Sequence, residues 1–142
     1  LRRQRQMCIR DRPVCVIDMG TATTIDVLNA NNEYIGGLIF LGVQTGLDTL
    51  AKQASLLSPV SFGNAPLIGK NTHECMRAGA YWGELARIEG IMNRLRKEVS
   101  SNLKFVITGG AGKFIASEFG LPYHPWLTLI GLNEIFKFMK GQ

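Results

Sequence analysis

The stretch that decides the fold is VIDMGTATTIDV, from Val16 to Val27. Its first half is apolar and ends at Asp18, a pattern typical of a strand buried on both faces whose carboxyl end opens onto a site. Gly20 lets the chain turn, and Thr21–Thr24 provide N–H and hydroxyl groups that suit phosphate oxygens. The acid would repel phosphate, so it would act there through a cation or a water. The alternative is structural, because D-x-G is a common turn and threonine-rich segments form strands readily.

Outward from this stretch, hydrophobic periodicity predicts one α/β unit with the element order β-β-β-α-α-β-α-α. Asn71 and Glu74 have the spacing of a reciprocal helix cap, which marks the start of the longest helix. The predicted strands are Val14–Met19, Thr24–Leu28, Tyr34–Leu41 and Leu103–Thr108. The predicted helices are Gly42–Ser55, Thr72–Val99, Lys113–Phe119 and Leu127–Lys140. The first three strands predict an antiparallel meander within a mixed sheet that helices flank.

The positive charge is concentrated at the beginning of the chain. Residues 1–12 contain five arginines and one aspartate, a local charge of +4 out of a formal net charge of +5. Within them, Met7–Arg12 (MCIRDR) resembles the translation of a transposase adapter used in sequencing libraries. We therefore expect residues 1–12 to be a non-native leader and residues 13–142 to be one domain. The alternative is a natural basic arm that binds nucleic acid or a membrane.

The remaining composition bears on partners and compartment. Only +1 of the net charge of +5 is left for residues 13–142, which gives no support to nucleic-acid binding. The longest apolar run, in Ile35–Val43, has about half the length that a bilayer requires. The three cysteines form no C-x-x-C pair, so neither a disulfide framework nor a zinc site is implied. We expect a cytoplasmic protein with no nucleic-acid partner and no membrane partner.

Four motifs follow one another along the chain. They are D-x-G-T-A-T-T from Asp18, a hairpin that ends in Gly36-Gly37, I-G-K-N-T at Ile68–Thr72 and V-I-T-G-G at Val106–Gly110. In this order and spacing they resemble the type III pantothenate kinases over residues 14–132. The resemblance implies the ribonuclease H-like fold of the actin-like ATPases. It also implies ATP-dependent phosphorylation of pantothenate to 4'-phosphopantothenate, the first step of coenzyme A biosynthesis.

The resemblance implies roles for residues at two glycine turns. Asp18 corresponds to the ligand of a monovalent cation, potassium (K+) or ammonium (NH4+), that lies beside the phosphates of ATP. Mg2+ is expected to accompany the ATP. The implied ATP-binding residues are Gly20, Thr21, Thr23, Gly109 and Gly110. For the last two residues the alternative is a plain strand-to-helix turn.

Thr72 corresponds to a threonine that contacts pantothenate. Its position at a helix N-terminus suits an anionic group, because free N–H groups and the helix dipole point towards it. The alternative is that Thr72 caps the helix. The resemblance also implies a homodimer with the pantothenate pocket near the subunit contact. The segment expected at that contact is the helix Thr72–Val99, which is thinned by Gly79, Gly83 and Gly90.

Two motifs that the resemblance implies do not occur in this chain. They are D-x-G-N-T, a first phosphate-binding turn, and G-x-D-R, whose aspartate is the general base. We therefore name no catalytic residue, and we expect the chain to be the C-terminal half of the enzyme and inactive alone. Leu41-Gly42 stands where Pro-Gly is usual, so a modestly altered turn is expected. The alternative function is that of a non-catalytic transcriptional accessory factor with the same fold.

Overall fold

The structure is a computed structural model that describes residues 13–127. The strands are β1 (Val14–Met19), β2 (Ala22–Leu28), β3 (Tyr34–Leu41) and β4 (Lys104–Thr108). The helices are α1 (Val43–Gln53), α2 (Thr72–Glu98) and α3 (Gly112–Phe119). The predicted element order is confirmed as far as α3. The leader expected at residues 1–12 lies outside the described residues, and so does the helix expected over Leu127–Lys140 from residue 128 onwards.

The four strands form one mixed sheet in the order β3-β2-β1-β4. β2 pairs antiparallel with both β1 and β3, whereas β4 runs parallel to β1. The β2–β3 connection is held by Asn29, whose Oδ1 accepts hydrogen bonds from the N–H groups of Asn31 and Glu33 at 3.0 and 2.9 Å. β1 is therefore a central strand. The predicted α/β fold class, a mixed sheet with an antiparallel meander and flanking helices, is confirmed.

β2 begins two residues earlier than the sequence predicts. Thr23 pairs with Met19 of β1 on one side and with Phe40 of β3 on the other. The ladder continues for as long as neighbouring strands can satisfy each other's N–H and C=O groups, and this extends β2 back towards β1. The turn after β1 therefore consists of Gly20 and Thr21 alone.

α2 and α3 pack on one face of the sheet. Alternate residues of β1 lie on this face, and residues of α2 at spacings of three and four meet them. The buried cluster includes Cys15, Ile17, Met19, Ile25, Leu85, Ile88, Met92, Ile107 and Ile115. On the opposite face, Val14 and Val106 pack with Leu127 in a smaller cluster. Within residues 13–127, no helix combines the length and the apolar character needed to cross a membrane.

α2 begins as predicted, with one change in its cap. Asn71 is the N-cap residue, and its Oδ1 accepts a hydrogen bond from the Glu74 N–H at 2.9 Å. The Glu74 carboxylate accepts a hydrogen bond from the N–H of Lys70 at 2.9 Å, one residue earlier than a reciprocal cap requires. The two side chains together still satisfy N–H groups on both sides of the helix start.

Side chains of both neighbouring helices hold the loop between α1 and α2. The Gln44 side chain donates to the Val60 carbonyl at 3.0 Å and accepts from the Phe62 N–H at 2.8 Å. From α2, the Trp82 indole N–H donates to the Ala65 carbonyl at 2.9 Å. These bonds satisfy backbone groups that no strand or helix pairs, and they hold the loop against both helices.

Candidate functional site

The turns that follow β1 and β4 lie side by side at one edge of the sheet. Because the two strands are parallel, with Asp18 opposite Thr108 in register, their carboxyl ends meet there. The N–H of Ala111 donates to the Met19 carbonyl at 3.2 Å, which joins the second turn to the first strand. The structure thus brings the predicted Gly109-Gly110 turn against the end of β1.

Gly109 is required by its contact with β1. Its φ is +90°, a conformation that residues with a side chain rarely adopt. A Cβ atom at this position would lie 2.6 Å from the backbone atoms of Met19. Gly110, by contrast, is exposed, and within the described part of the chain a Cβ atom there would meet nothing within 4 Å. The interpretation of Gly109 as a structural turn is thus supported, and contact of either glycine with a nucleotide stays a prediction.

Asp18 and Thr21 both lie at the first turn. The Asp18 side chain is half-buried, and its Oδ1 lies 3.9 Å from the place that a Cβ atom of Gly20 would occupy. The carbonyl oxygen of Thr21 accepts hydrogen bonds from the N–H of Gly42 at 3.0 Å and from the hydroxyl of Thr45 at 2.9 Å. The start of α1 therefore holds the Thr21 backbone, while the residue itself is exposed and open to a ligand.

The first turn offers oxygen ligands for a cation. Carboxylate, carbonyl and hydroxyl oxygens are the ligands that hard cations prefer. Within residues 13–127, no group of three or more His, Cys, Asp or Glu side chains could hold a metal ion. A cation at this turn would depend on Asp18 together with backbone and hydroxyl oxygens, a donor set that fits a hard cation better than zinc.

Thr23 differs from Thr21 in its surroundings. Its side chain is fully buried, and its Oγ1 has no hydrogen-bond partner among the described residues. The sequence places Thr23 on the turn, but the strand extension turns it towards the core side of β2, in line with Ile25 and Val27. No local pattern revealed this, because threonine suits both a phosphate-binding turn and a strand. Contact of Thr23 with phosphate stays a prediction.

A cleft of about 890 Å³ lies between α1 and α2, and Thr72 lines one end of it. Thr72 is exposed and is the first residue of α2, next to Lys70 on the cleft wall. The interpretation of Thr72 as the helix cap is wrong, because Asn71 fills that position with its own side chain. A positively charged lysine and a helix N-terminus at this end of the cleft favour an anionic group.

The middle of the cleft is apolar, and its opposite end reaches the first turn. The lining includes Leu47, Leu50, Met76, Gly79 and Gly83, followed by Leu41, Gly42, Glu84 and Arg87 at the far end. Gly42 both lines the cleft and contacts the first turn. A Cβ atom there would lie 2.2 Å from the carbonyl oxygen of Thr21, so only glycine allows this approach. The cleft and the first turn therefore share a wall.

The sequence interpretation missed the ion pair between Glu84 and Arg87 at this end of the cleft. Glu84 is 4% exposed. Burial raises the pKa of its carboxyl, although the Arg87 guanidinium acts in the opposite direction. A signal was present, because Glu84 falls at helical spacing with the buried residues Tyr81, Leu85 and Ile88.

Comparison with known proteins identifies the family. A family model described as "Type III pantothenate kinase" matches residues 3–94. A type III pantothenate kinase of Acidiphilium cryptum is 40% identical over 124 residues, which cover 85% of this chain and 47% of that protein. One of Roseiflexus sp. is 40% identical over 132 residues, covering 91% of this chain and 52% of that protein.

A solved structure shows a related fold. A Campylobacter jejuni protein assigned to the Baf family of transcriptional activators has a TM-score of 0.60 and 25% sequence identity. The match covers 99% of this chain and 64% of that one. The chain spans about half the length of the curated relatives that it matches. From the family match and these identities, the chain belongs to the type III pantothenate kinase family.

Proposed function

We propose that this chain is the C-terminal, ATPase-fold half of a cytoplasmic enzyme that phosphorylates pantothenate. The reaction transfers the γ-phosphoryl group of ATP to pantothenate and yields 4'-phosphopantothenate, the first step of coenzyme A biosynthesis. One observation carries the proposal. In a member of this family, the cleft that Thr72 lines and the turn that contains Thr21 share Gly42 as a common wall. Two substrates bound in these two places would be neighbours, as direct phosphoryl transfer requires.

The two ends of the cleft match the two ends of pantothenate. Pantothenate has a carboxylate at one end, a primary hydroxyl at the other, and branched aliphatic carbons beside that hydroxyl. The carboxylate suits Lys70 and the N-terminus of α2 at Thr72, and the aliphatic part suits the apolar lining. The hydroxyl would then lie at the Gly42 end of the cleft, where it would face the γ-phosphate.

The nucleotide is assigned to the paired turns. Gly20 and Thr21 would receive the phosphates, and the exposed Gly110 would lie against the adenosine, with Gly109 shaping that turn. Asp18 would hold K+ or NH4+ beside them. Such cations, with the Mg2+ of the ATP, neutralise charge on the transferring group.

The general base is assigned to the rest of the parent enzyme. Glu84, the buried acid of the cleft, is 4% exposed and its carboxylate is held by Arg87, so it is not placed to take a proton from a substrate hydroxyl. This chain alone is accordingly expected to be inactive. The parent is expected to form a homodimer with the glycine-notched α2 near the subunit contact.

The test is steady-state kinetics on the full-length parent enzyme. Thr72→Val keeps the shape of the side chain but removes its hydroxyl, so the KM for pantothenate should rise about tenfold while the KM for ATP hardly changes. Thr49→Val is the matched control, because Thr49 is an exposed threonine on α1 that does not line the cleft. An unchanged KM for pantothenate in the Thr72 variant would remove Thr72 from the site.

The same assay tests the cation assignment. Asp18→Ala should abolish most of the activation of the parent by potassium, since the variant lacks the one charged ligand proposed for the cation. Potassium activation that survives this substitution would contradict the assignment. Potassium activation is measured at fixed concentrations of ATP and pantothenate. Its result therefore does not depend on whether the Thr72 variant changes the KM for pantothenate.

The second candidate function is that of a non-catalytic transcriptional accessory factor. It is favoured by the likeness to the Campylobacter jejuni protein, at a TM-score of 0.60 over 99% of this chain. The weak net charge of residues 13–142, +1 of the total of +5, speaks against direct DNA binding. A parent protein that binds ATP but leaves pantothenate unphosphorylated under all cation conditions would favour this candidate over the kinase.

A further inference from the structure

The corner between β3 and α1, formed by Leu41 and Gly42, is the wall that the cleft and the first turn share. The Gly42 N–H donates to the Thr21 carbonyl at 3.0 Å. Leu41 is 58% exposed and ends β3, which is an edge strand of the described sheet. An edge strand has a neighbour on one side only, so its end opens easily unless another element holds it.

Arg87 of α2 is the side chain that reaches this corner. Its Nη2 donates to the Leu41 carbonyl at 3.3 Å, and its guanidinium lies over the Phe40 ring, 4.8 Å from the ring centroid. One planar group thus contacts the last two residues of β3 by a hydrogen bond and a cation–π interaction. This contact joins residues 46 positions apart in the sequence.

Glu84 holds the guanidinium in place from one helical turn away. Its Oε2 accepts a hydrogen bond from Arg87 Nη2, whereas its Oε1 and the Nε of Arg87 are buried without a partner among the described residues. Glu84 is buried, whereas the Arg87 side chain is 32% exposed. An ion pair that solvent partly screens, and that leaves buried atoms unsatisfied, stabilises a fold only weakly. The physical effect of this pair is therefore to orient the guanidinium more than to add stability.

We infer that Arg87, oriented by Glu84, is a positioning residue that fixes the Leu41–Gly42 corner against the Thr21 carbonyl. It thereby sets the distance between the substrate cleft and the phosphate turn. The positional part stands on the contacts above. The effect on catalysis rests in addition on the proposed function.

Hydrogen exchange followed by NMR on the 142-residue chain tests the positional part. In the double variant Glu84→Met/Arg87→Met, which leaves no unpaired buried charge, the Gly42 N–H should exchange at least about tenfold faster, equivalent to about 1.4 kcal/mol. The Ile107 N–H, bonded to the Pro122 carbonyl at 2.9 Å, is the internal reference and should not change. If the Gly42 rate rises no more than the Ile107 rate, the inference is wrong.

A matched control is available on the same helix. Arg96 also places its guanidinium over a phenylalanine, 4.7 Å from the ring centroid of Phe105, but it does not line the cleft. Arg96→Met should leave Gly42 exchange unchanged, and an equal acceleration in this control would overturn the inference. If the double variant does not fold, Arg87→Lys replaces it. An ammonium cannot bond both partners and stack as the planar guanidinium does, so Gly42 exchange should still rise about threefold, and no rise would refute the role.

Kinetics on the full-length parent test the catalytic consequence. The double variant should lower kcat/KM about tenfold for both ATP and pantothenate, because both sites share the released corner, and Arg96→Met should not. An active parent whose double variant keeps both constants would refute the coupling. A wild-type parent without kinase activity would refute the proposed function instead, and hydrogen exchange would then decide the positional inference alone.

Discussion

Gly109→Ala tests how tightly the turn after β4 packs on β1. Placing an L-residue in a left-handed conformation costs about 1–2 kcal/mol. The new Cβ would also lie 2.6 Å from backbone atoms of Met19, which cannot move without shifting a central strand. Overpacking of this kind costs about 1–3 kcal/mol. We therefore expect the free energy of unfolding to fall by about 2–5 kcal/mol.

Two other glycines separate the cost of the left-handed conformation from the cost of the contact with Met19. Gly120 caps α3 at φ +63°, and no described residue lies within 4 Å of its Cβ position, so Gly120→Ala should cost only the conformational part, about 1–2 kcal/mol. Gly110 has no positive φ, and its Cβ position is open among residues 13–127, so Gly110→Ala should change stability by less than about 0.5 kcal/mol. Urea unfolding of the three variants measures these differences. If Gly109→Ala costs no more than Gly120→Ala, contact with Met19 is not what requires glycine.

Three further predictions concern the helix cap, the buried acid and the cysteines. Asn71→Ala should lower the free energy of unfolding by about 1 kcal/mol in urea, because it removes the cap of α2; an equal stability would contradict this. Because burial raises the pKa of Glu84 above its ordinary value of 4.5, the folded chain binds that proton more tightly than the unfolded chain. Stability should therefore fall as pH rises from 4.5 through the raised pKa, and Glu84→Gln should flatten this fall in urea unfolding curves measured across pH. Burial raises the pKa of Cys15 to about 12, so in a Cys8→Ser variant a thiol reagent should label the exposed Cys75 at once and Cys15 only in denaturant. Rapid labelling of both Cys15 and Cys75 in native buffer would contradict this prediction, because it would show that the core around Cys15 opens readily.

The sequence by itself determined the elements and the family. The apolar run of β1, the helical spacing of α2 and the Asn71 cap are local patterns, because strand alternation, helix periodicity and capping each involve residues a few positions apart. The same holds for the order of the four motifs, which is readable without a structure. For this reason the strands and helices of residues 13–127 agree with the prediction except at their ends.

Only the tertiary structure decided how distant residues meet. The sequence assigned Thr23 to the turn, whereas the structure places it in β2. The length of β2 depends on the residues that pair with Thr23 across the sheet, Met19 and Phe40, and the local pattern does not contain them. The shared wall at Gly42 arises from the chain packing against the Thr21 carbonyl, a contact between segments with a complete hairpin between them. The Glu84–Arg87 pair gains its role from a carbonyl at the end of β3. Contacts of this kind are set by packing in three dimensions, so no spacing within one segment reveals them.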